Sequence, residues 1–372
     1  MSKKFTIGID ASRANTANRT GVEEYVFQVC KYLSLQVLKY PDLEIVLYTR
    51  EPLIPEFAEV LSEHLEVKIL KWLPERLWTQ IRLSWEMLVN PPNILFVPGH
   101  VFPIIHPKET IMTIHDVAAK EFPESYNLFE RWYSLWSAKV AVNKLWKVIA
   151  ISEFTKLEIG KRMTDSDKIS VIPLAYDKKY KIIEDSAAID QALKKYNIEK
   201  PFLLSVGRLE TKKNTVRLIQ AFNKLKSNHQ SLITNYQLVL VGGKGHGYEK
   251  AIKEIEKSPY KNDIILPGYV EDADLPYIMN AAEVFVFPSL YEGFGIPILE
   301  AFACGTPVVT SNTTSCREVA GKAAVLIDPL DVESIASGVE KAINGETVEY
   351  GLDRAEEYSW EQTVQKIFNV IL

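Results

Sequence analysis

The chain has 372 residues, 47% hydrophobic and 24% charged, a balance that fits a globular protein of about two domains at roughly 150 residues each. It excludes a disordered tail, a coiled coil and a small disulfide scaffold. With 48 acidic against 43 basic side chains, a net charge of −5, it offers no general attraction to nucleic acid. Cys30, Cys304 and Cys316 are odd in number and lack metal-ligand spacing, so neither a disulfide framework nor a zinc site is read, and a reducing cytoplasm is the expectation. The apolar start at Phe5 to Ile9 is broken by Asp10, and no run of 18 apolar residues follows. Neither a secretory signal nor a membrane span is expected.

Apolar, β-branched runs of strand length alternate with segments of helical period along the whole chain, the pattern of parallel sheets with crossover helices. The first strand is Phe5 to Ile9. A helix follows Gly21, with Val22, Tyr25, Val26, Val29, Cys30 and Leu33 at helical spacing, and Pro41 ends it. Further strands read at Leu43 to Tyr48, Val67 to Leu70, Asn93 to Val97, Ile111 to Ile114, Val148 to Ile151 and Ile169 to Ile172. These make an α/β domain over residues 1–176. Residues 177–200, rich in Lys, Asp and Glu, form the interdomain connection, with Ile189, Leu193 and Tyr196 spaced for a short helix. A second series occupies 201–350: Phe202 to Val206, Gln237 to Val241, Ile264 to Leu266, Val284 to Phe287, Pro307 to Thr310 and Ala324 to Ile327. Both domains are therefore doubly wound and Rossmann-like. In 351–372, Val364, Ile367, Phe368 and Ile371 share one helical face, which is expected to pack back on the N-terminal domain.

In open parallel sheets ligands bind beyond the carboxyl ends of the strands. There the strand Phe202 to Val206 runs into Gly207-Arg208-Leu209-Glu210-Thr211-Lys212-Lys213-Asn214, and its arginine fork and lysine suit a diphosphate. The alternative for Lys-Lys alone is a solvated turn. After Val284 to Phe287 comes Tyr291-Glu292-Gly293-Phe294-Gly295-Ile296-Pro297, with Glu300 beyond. Gly293 and Gly295 permit close backbone approach, and Pro297 suits a first helical turn. Two carboxylates beside an anion-binding helix start are reasonable when they bind sugar or ribose hydroxyls.

This string, with Gly305-Thr306-Pro307-Val308-Val309 downstream and Ser205-Val206-Gly207-Arg208-Leu209 upstream, resembles the retaining, family-four (glycosyl transferases group 1) enzymes of GT-B fold, bacterial polysaccharide mannosyltransferases among them. The resemblance covers almost all of the second domain. It implies two Rossmann-like domains facing across a cleft, and transfer of a sugar from a nucleotide diphosphate to an acceptor hydroxyl with retention. It also implies a diphosphate neutralised by Arg208 and Lys213, a ribose bound by Glu300, and a transferred sugar faced by Glu292. Backbone from Phe294 to Ile296 would contact sugar and phosphate, and Gly268, Tyr269 and Val270 the base. In the first domain Arg19-Thr20-Gly21 corresponds to a glycine-bearing loop near phosphates or acceptor, with one glycine only. His115, at the carboxyl end of Ile111 to Ile114, matches a histidine beside the donor sugar. Gly207 and Gly242 are placed near the donor phosphates, although Gly242 to Gly247 also reads as a plain tight turn. Ser152 to Lys156 reads as a helix start.

No metal or other cofactor is expected. Asp165-Ser166-Asp167 lies at the amino end of a strand, and Asp272 or Asp274 reads as an N-cap for the helix from Leu275. His64, His100, His106, His229 and His246 show no metal-ligand spacing. The six first-domain tryptophans, Trp72, Trp78, Trp85, Trp132, Trp136 and Trp146, read first as packing, since Trp78, Ile81 and Trp85 fall on one helical face. Interleaved Arg76, Arg82, Arg131, Lys139, Lys144 and Lys147 make a peripheral membrane contact the sharper alternative. The resemblance implies GDP-mannose as the first donor, with a UDP-sugar next, and as acceptor a saccharide or lipid-linked saccharide at the inner face of the cell membrane. Competing readings are an epimerase or phosphorylase of the same fold and a catalytically silent nucleotide-sugar-binding partner. A nicotinamide dehydrogenase fits least, because Asp10-Ala11-Ser12-Arg13 follows the first strand in place of a glycine fingerprint.

Overall fold

The computed structural model describes residues 4–17, 19–62, 65–73, 77–99, 101–126, 128–161, 167–228, 233–345 and 351–372. His64, Arg76, His100, Asp165, Ser166, His229 and the expected boundary at 350 lie outside the described residues. The chain forms two compact units, Met1–Leu174 with Ser359–Leu372, and Ala175–Tyr358.

The first unit contains β1 (Phe5–Asp10), β2 (Leu43–Thr49), β3 (Glu66–Ile69), β4 (Ile94–Val97), β5 (Thr110–Ile114), β6 (Lys147–Ala150) and β7 (Ile169–Val171). They pair in the order β3-β2-β1-β4-β5-β6-β7, all parallel. The second contains β8 (Phe202–Val206), β9 (Gln237–Val241), β10 (Ile264–Gly268), β11 (Val284–Phe287), β12 (Val308–Ser311) and β13 (Val325–Ile327), in the parallel order β10-β9-β8-β11-β12-β13. A parallel sheet covered by helices on both faces needs strands that are apolar throughout. The central strands β4 (Ile-Leu-Phe-Val) and β11 (Val-Phe-Val-Phe) are fully buried. In each sheet the winding reverses beside the first strand, between β1 and β4 and between β8 and β11. That is where open α/β sheets present a crevice.

The first unit is completed by a distant segment. Helix Trp360–Ile371 lays Val364, Ile367, Phe368 and Ile371 against helix Gly21–Val37, with the Tyr40 and Phe368 rings 4.9 Å apart. Ser359 caps it, its Oγ accepting from Gln362 N at 3.3 Å, while Thr363 Oγ1 donates to Pro173 O at 2.9 Å. The stretch 351–358 does not share this destination. Helix Gly351–Glu356 stays with the second unit, where Arg354 donates to the Val319 and Glu318 carbonyls at 2.9 and 2.7 Å. Residues 177–200, expected as a connection, likewise belong to the second unit. Helix Ser186–Lys195, capped by Asp185, buries Ile189 and Leu193 against helix Leu275–Ala281.

The expected face of Trp78, Ile81 and Trp85 is not formed. Residues Thr79–Leu83 make a π-helical turn before the α-helix Ser84–Val89, and its wider turn breaks the 3.6-residue register. Trp78 is 5% exposed, with Nε1 donating to Leu70 O at 2.7 Å, whereas Trp85 is 60% exposed and Ile81 also faces outward.

Candidate functional site

In the second unit, two loops at the switch point are tied together. The loop after β8 forms a short 3-10 turn, Thr211–Lys213, ended by Asn214 at φ +62°, a left-handed conformation that asparagine tolerates better than most residues. Asn214 is buried, and its Nδ2 donates to Pro288 O at 3.0 Å and Pro329 O at 2.6 Å. Leu290 N donates to Lys212 O at 2.7 Å. These bonds fasten the Arg208 to Lys213 loop to the loop after β11. They set Lys213 Nζ 2.6 Å from Glu292 Oε1 and 4.7 Å from the Phe287 ring centre.

Arg208 is exposed and reaches outward, with Nη2 3.5 Å from Glu210. Glu210 is buried and also stands 3.5 Å from Lys212 Nζ. Glu292 is held from behind, its carbonyl accepting from Ser315 Oγ at 2.8 Å. Its carboxylate also acts on Cys316, whose thiol is pushed up to about 12 chiefly by burial and secondarily by Glu292. The cysteine is thus an inert, neutral neighbour.

Gly293, Phe294 and Gly295 are buried, and Gly295, at φ +105°, occupies the N-cap of helix Ile296–Ala303 with no side-chain cap. The helix start therefore presents backbone amides and partial positive charge to the same loop cluster. Pro297 lies in its first turn and Glu300 one turn in, half-buried, raising the Cys304 thiol to about 12 together with the larger effect of burial. Gly242 must be glycine because Gly207 crosses it, and a Cβ on Gly207 would meet the Lys213 side chain at 3.3 Å. Both have φ near +145° (145° and 143°), and a Cβ on Gly242 would stand 2.1 Å from Gly207 O. At the end of β10, Tyr269 is 70% exposed while Val270 is buried.

The first unit holds the other two expected residues. Gly21 opens helix Gly21–Val37, where a Cβ would meet nothing within 4 Å, so packing within the unit does not demand glycine there. His115 is 5% exposed, its Nε2 hydrogen-bonded to Pro98 O at 2.8 Å and its ring edge-on to Tyr25 at 4.8 Å. Ser152 caps helix Glu153–Gly160 through Thr155 N at 3.0 Å.

The expected capping by Asp272 or Asp274 is replaced by other contacts. Asp274 stands at the N-cap of helix Leu275–Ala281 without a side-chain cap bond. Its carboxylate takes Lys195 Nζ at 2.7 Å and Tyr196 Oη at 2.8 Å, while Asp272 pairs with Lys179. A lysine is a stronger partner for a carboxylate than a backbone amide. Asn214, Ser315 and Glu210 were not singled out from sequence. Only Asn214 carried a local signal, an asparagine closing a Lys-Lys turn before a helix.

Two Rossmann-like parallel-sheet units of this topology fit the GT-B class. Comparison with known proteins agrees. The model for glycosyl transferases group 1 matches residues 188–359 and that for Glycosyltransferase Family 4 matches 19–180. O-antigen chain mannosyltransferase B of Escherichia coli is 32% identical over 296 residues, 77% of this chain and 76% of that protein. O-antigen chain mannosyltransferase RfbU of Salmonella typhimurium is 26% identical over 288 residues, 77% and 74% of the two chains. Among solved structures, sucrose-phosphate synthase of Thermosynechococcus elongatus superposes with a TM-score of 0.76 at 19% identity over 99% of this chain and 98% of that one. Anabaena HepE, in complex with UDP and glucose, gives 0.73 at 17% over 98% of each. The chain belongs to the group 1, family 4 glycosyltransferases, and it is a GT-B glycosyltransferase. Among the described residues no helix is long and apolar enough to cross a membrane.

Proposed function

We propose that this protein is a retaining, metal-independent mannosyltransferase that takes mannose from GDP-mannose to a hydroxyl of a saccharide or lipid-linked saccharide in polysaccharide assembly. The observation that carries this reading is the Lys213–Glu292 pair, with Arg208 on the same loop as Lys213 and the uncapped start of helix Ile296–Ala303 on the same loop as Glu292, at one switch point. The mannosyltransferase names of the relatives support the sugar. They favour it over a silent partner and over a UDP-sugar enzyme.

Negative charge grows on the leaving diphosphate as the bond from the sugar C1 to phosphate oxygen breaks. In this reading Arg208, Lys213 and the helix amides stabilise that charge more than they do the ground state. The two cations supply the neutralisation that a metal would otherwise give. The acceptor oxygen bonds to C1 on the face the phosphate leaves, and its proton passes to a donor phosphate oxygen. Glu292 orients the sugar hydroxyls, Glu300 binds the ribose, and backbone near Gly268, Tyr269 and Val270 receives the base. Gly21 and His115 are assigned to the acceptor-side unit. A cytoplasmic location with contact to the inner membrane face belongs to the same reading, supported by the exposed Ile81, Trp85, Ile105 and Trp132 of that unit.

The test is thermal stabilisation by GDP, UDP and ADP in EDTA, followed by turnover of the matching sugar nucleotide. A ligand at about 100 times its Kd should add roughly 2.7 kcal/mol. Stabilisation by GDP that disappears in Arg208→Ala is expected. No stabilisation by any nucleotide overturns the reading.

A further inference from the structure

The second unit has a further opening that the donor reading leaves unused. A cavity of about 300 Å³ lies between the starts of helices Thr215–Ser227 and Tyr248–Lys257, lined among others by Glu210, Thr215, Arg217, Gln220, Lys250 and Leu290. Lys213, Glu292 and helix Ile296–Ala303 do not line it. The winding of this sheet reverses between β8 and β11, and right-handed crossovers then put the helices after β8 and β9 on the face opposite the helix after β11. The cavity is thus separate from the place proposed for the donor phosphates.

Its chemistry suits an anion. Helix Thr215–Ser227 has no side-chain cap, because the Oδ1 of its N-cap Asn214 accepts from Arg217 Nη1 at 3.0 Å instead. The first bond within the helix is Leu218 N to Asn214 O at 3.1 Å, and the amides of Thr215, Val216 and Arg217 meet no backbone acceptor among the described residues. Thr215 is 8% exposed and lines the cavity, and its hydroxyl has no hydrogen-bond partner among the described residues. A hydroxyl so nearly buried is satisfied by a polar ligand. Among the described residues neither Arg217 nor Lys250 forms an ion pair. The carboxylate in the lining, Glu210, is already flanked by Arg208 and Lys212, each at 3.5 Å, and neighbouring Glu254 accepts from Gln220 Nε2 at 3.1 Å. The two cations therefore leave the cavity with positive charge that no carboxylate answers, in front of a helix start that favours an anion.

We propose that this cavity is a second anion site, which seats a phosphate group on the amides of Thr215 to Arg217, between the Arg217 guanidinium and the Lys250 ammonium. The phosphate is carried by a small ester such as a monosaccharide phosphate or is the free ion. An arginine fork matches phosphate oxygens, a lysine adds a point charge, and the Thr215 hydroxyl donates to a third oxygen. The volume leaves room for a monosaccharide beside the phosphate, where Gln220 and Leu290 form the wall.

The test is calorimetry on the full chain with mannose, mannose 6-phosphate and inorganic phosphate. Mannose 6-phosphate is expected to bind at least tenfold more tightly than mannose. Inorganic phosphate binding within threefold of the ester identifies the free ion as sufficient, and weaker binding shows that the sugar is held as well; either supports the phosphate seat. Arg217→Gln should weaken the ester at least tenfold and Lys250→Gln at least fivefold, while Arg208→Gln leaves it unchanged. Lys250 is exposed, so Lys250→Gln carries the test if Arg217→Gln, which loses the bond to Asn214, does not fold. An ester that binds no better than mannose overturns the proposal, as does binding unchanged in Lys250→Gln or lost only in Arg208→Gln. A chain that binds the ester through Lys250 but no GDP through Arg208 keeps this site and removes the donor assignment, and the reverse removes this site alone.

Discussion

Lys213 Nζ and Glu292 Oε1 stand 2.6 Å apart, each largely sheltered from water, so the unliganded protein already neutralises the lysine that a diphosphate would use. Any anion arriving there must compete with Glu292. Glu292→Gln should therefore tighten nucleoside diphosphate binding while lowering sugar transfer. Allowing for partial solvent screening, the gain is about 1 kcal/mol, or about fivefold in Kd. Calorimetry with GDP and a transfer assay on the same variant separate the two effects. Weaker GDP binding would mean that the pair cooperates in holding the ligand.

The Asn214 side chain bridges two loops from a left-handed backbone position. Asn214→Ala loses both buried hydrogen bonds and places a Cβ residue of lower left-handed tolerance there, which should cost about 2–3 kcal/mol in urea unfolding. Asn214→Gly relieves the backbone and loses only the bonds, so its destabilisation should be smaller. Equal losses would show that the bonds alone matter.

Asp274 is held below the usual carboxylate range, first by its hydrogen bond with Lys195 and also by Tyr196, against some burial. A depressed folded value gives stability that is fully present above the unfolded-chain pKa of about 3.9. It is lost as pH falls through the lower folded value. The melting-temperature gap between the wild type and Asp274→Asn should be constant from neutral pH down to about pH 5 and close progressively below about pH 4. A gap that persists at about pH 2 would assign the effect to something other than ionisation.

The π-helical turn separates two tryptophans that a regular helix would treat alike. Trp78→Ala should cost about 3–5 kcal/mol, the range for deleting a buried ring. Trp85→Ala should stay within about 0.5 kcal/mol, as exposed substitutions do. Chemical unfolding of the two variants checks both values.

Among the described residues the thirteen strands were legible because most are short β-branched or aromatic runs, the composition a parallel sheet buried on both faces imposes, although the edge strand β3, Glu-Val-Lys-Ile, is only partly covered. Arg208, Lys213, Glu292 and Glu300 stand out in the sequence through their string, and the resemblance alone supplies their roles. What escaped were features decided by distant partners. Asp274 looked like a cap because local sequence cannot show that Lys195, 79 positions away, offers a full charge. The turn at Thr79–Leu83 has no marker in Thr-Gln-Ile-Arg-Leu, so a 3.6-residue period put Trp85 inside. Ser315 and Glu210 act through a carbonyl and a pair of neighbouring cations, roles that ordinary serines and glutamates do not announce.

The helix Trp360–Ile371 belongs to a unit whose other elements end at Leu174, and this sets an order on synthesis. The second unit is contiguous and can fold as soon as its own residues have left the ribosome. The first must wait, with the apolar stripe of helix Gly21–Val37 uncovered, until residue 371 is delivered. During that interval the nascent chain carries a sticky surface that chaperones would recognise. A premature stop after Tyr358 would make that surface permanent.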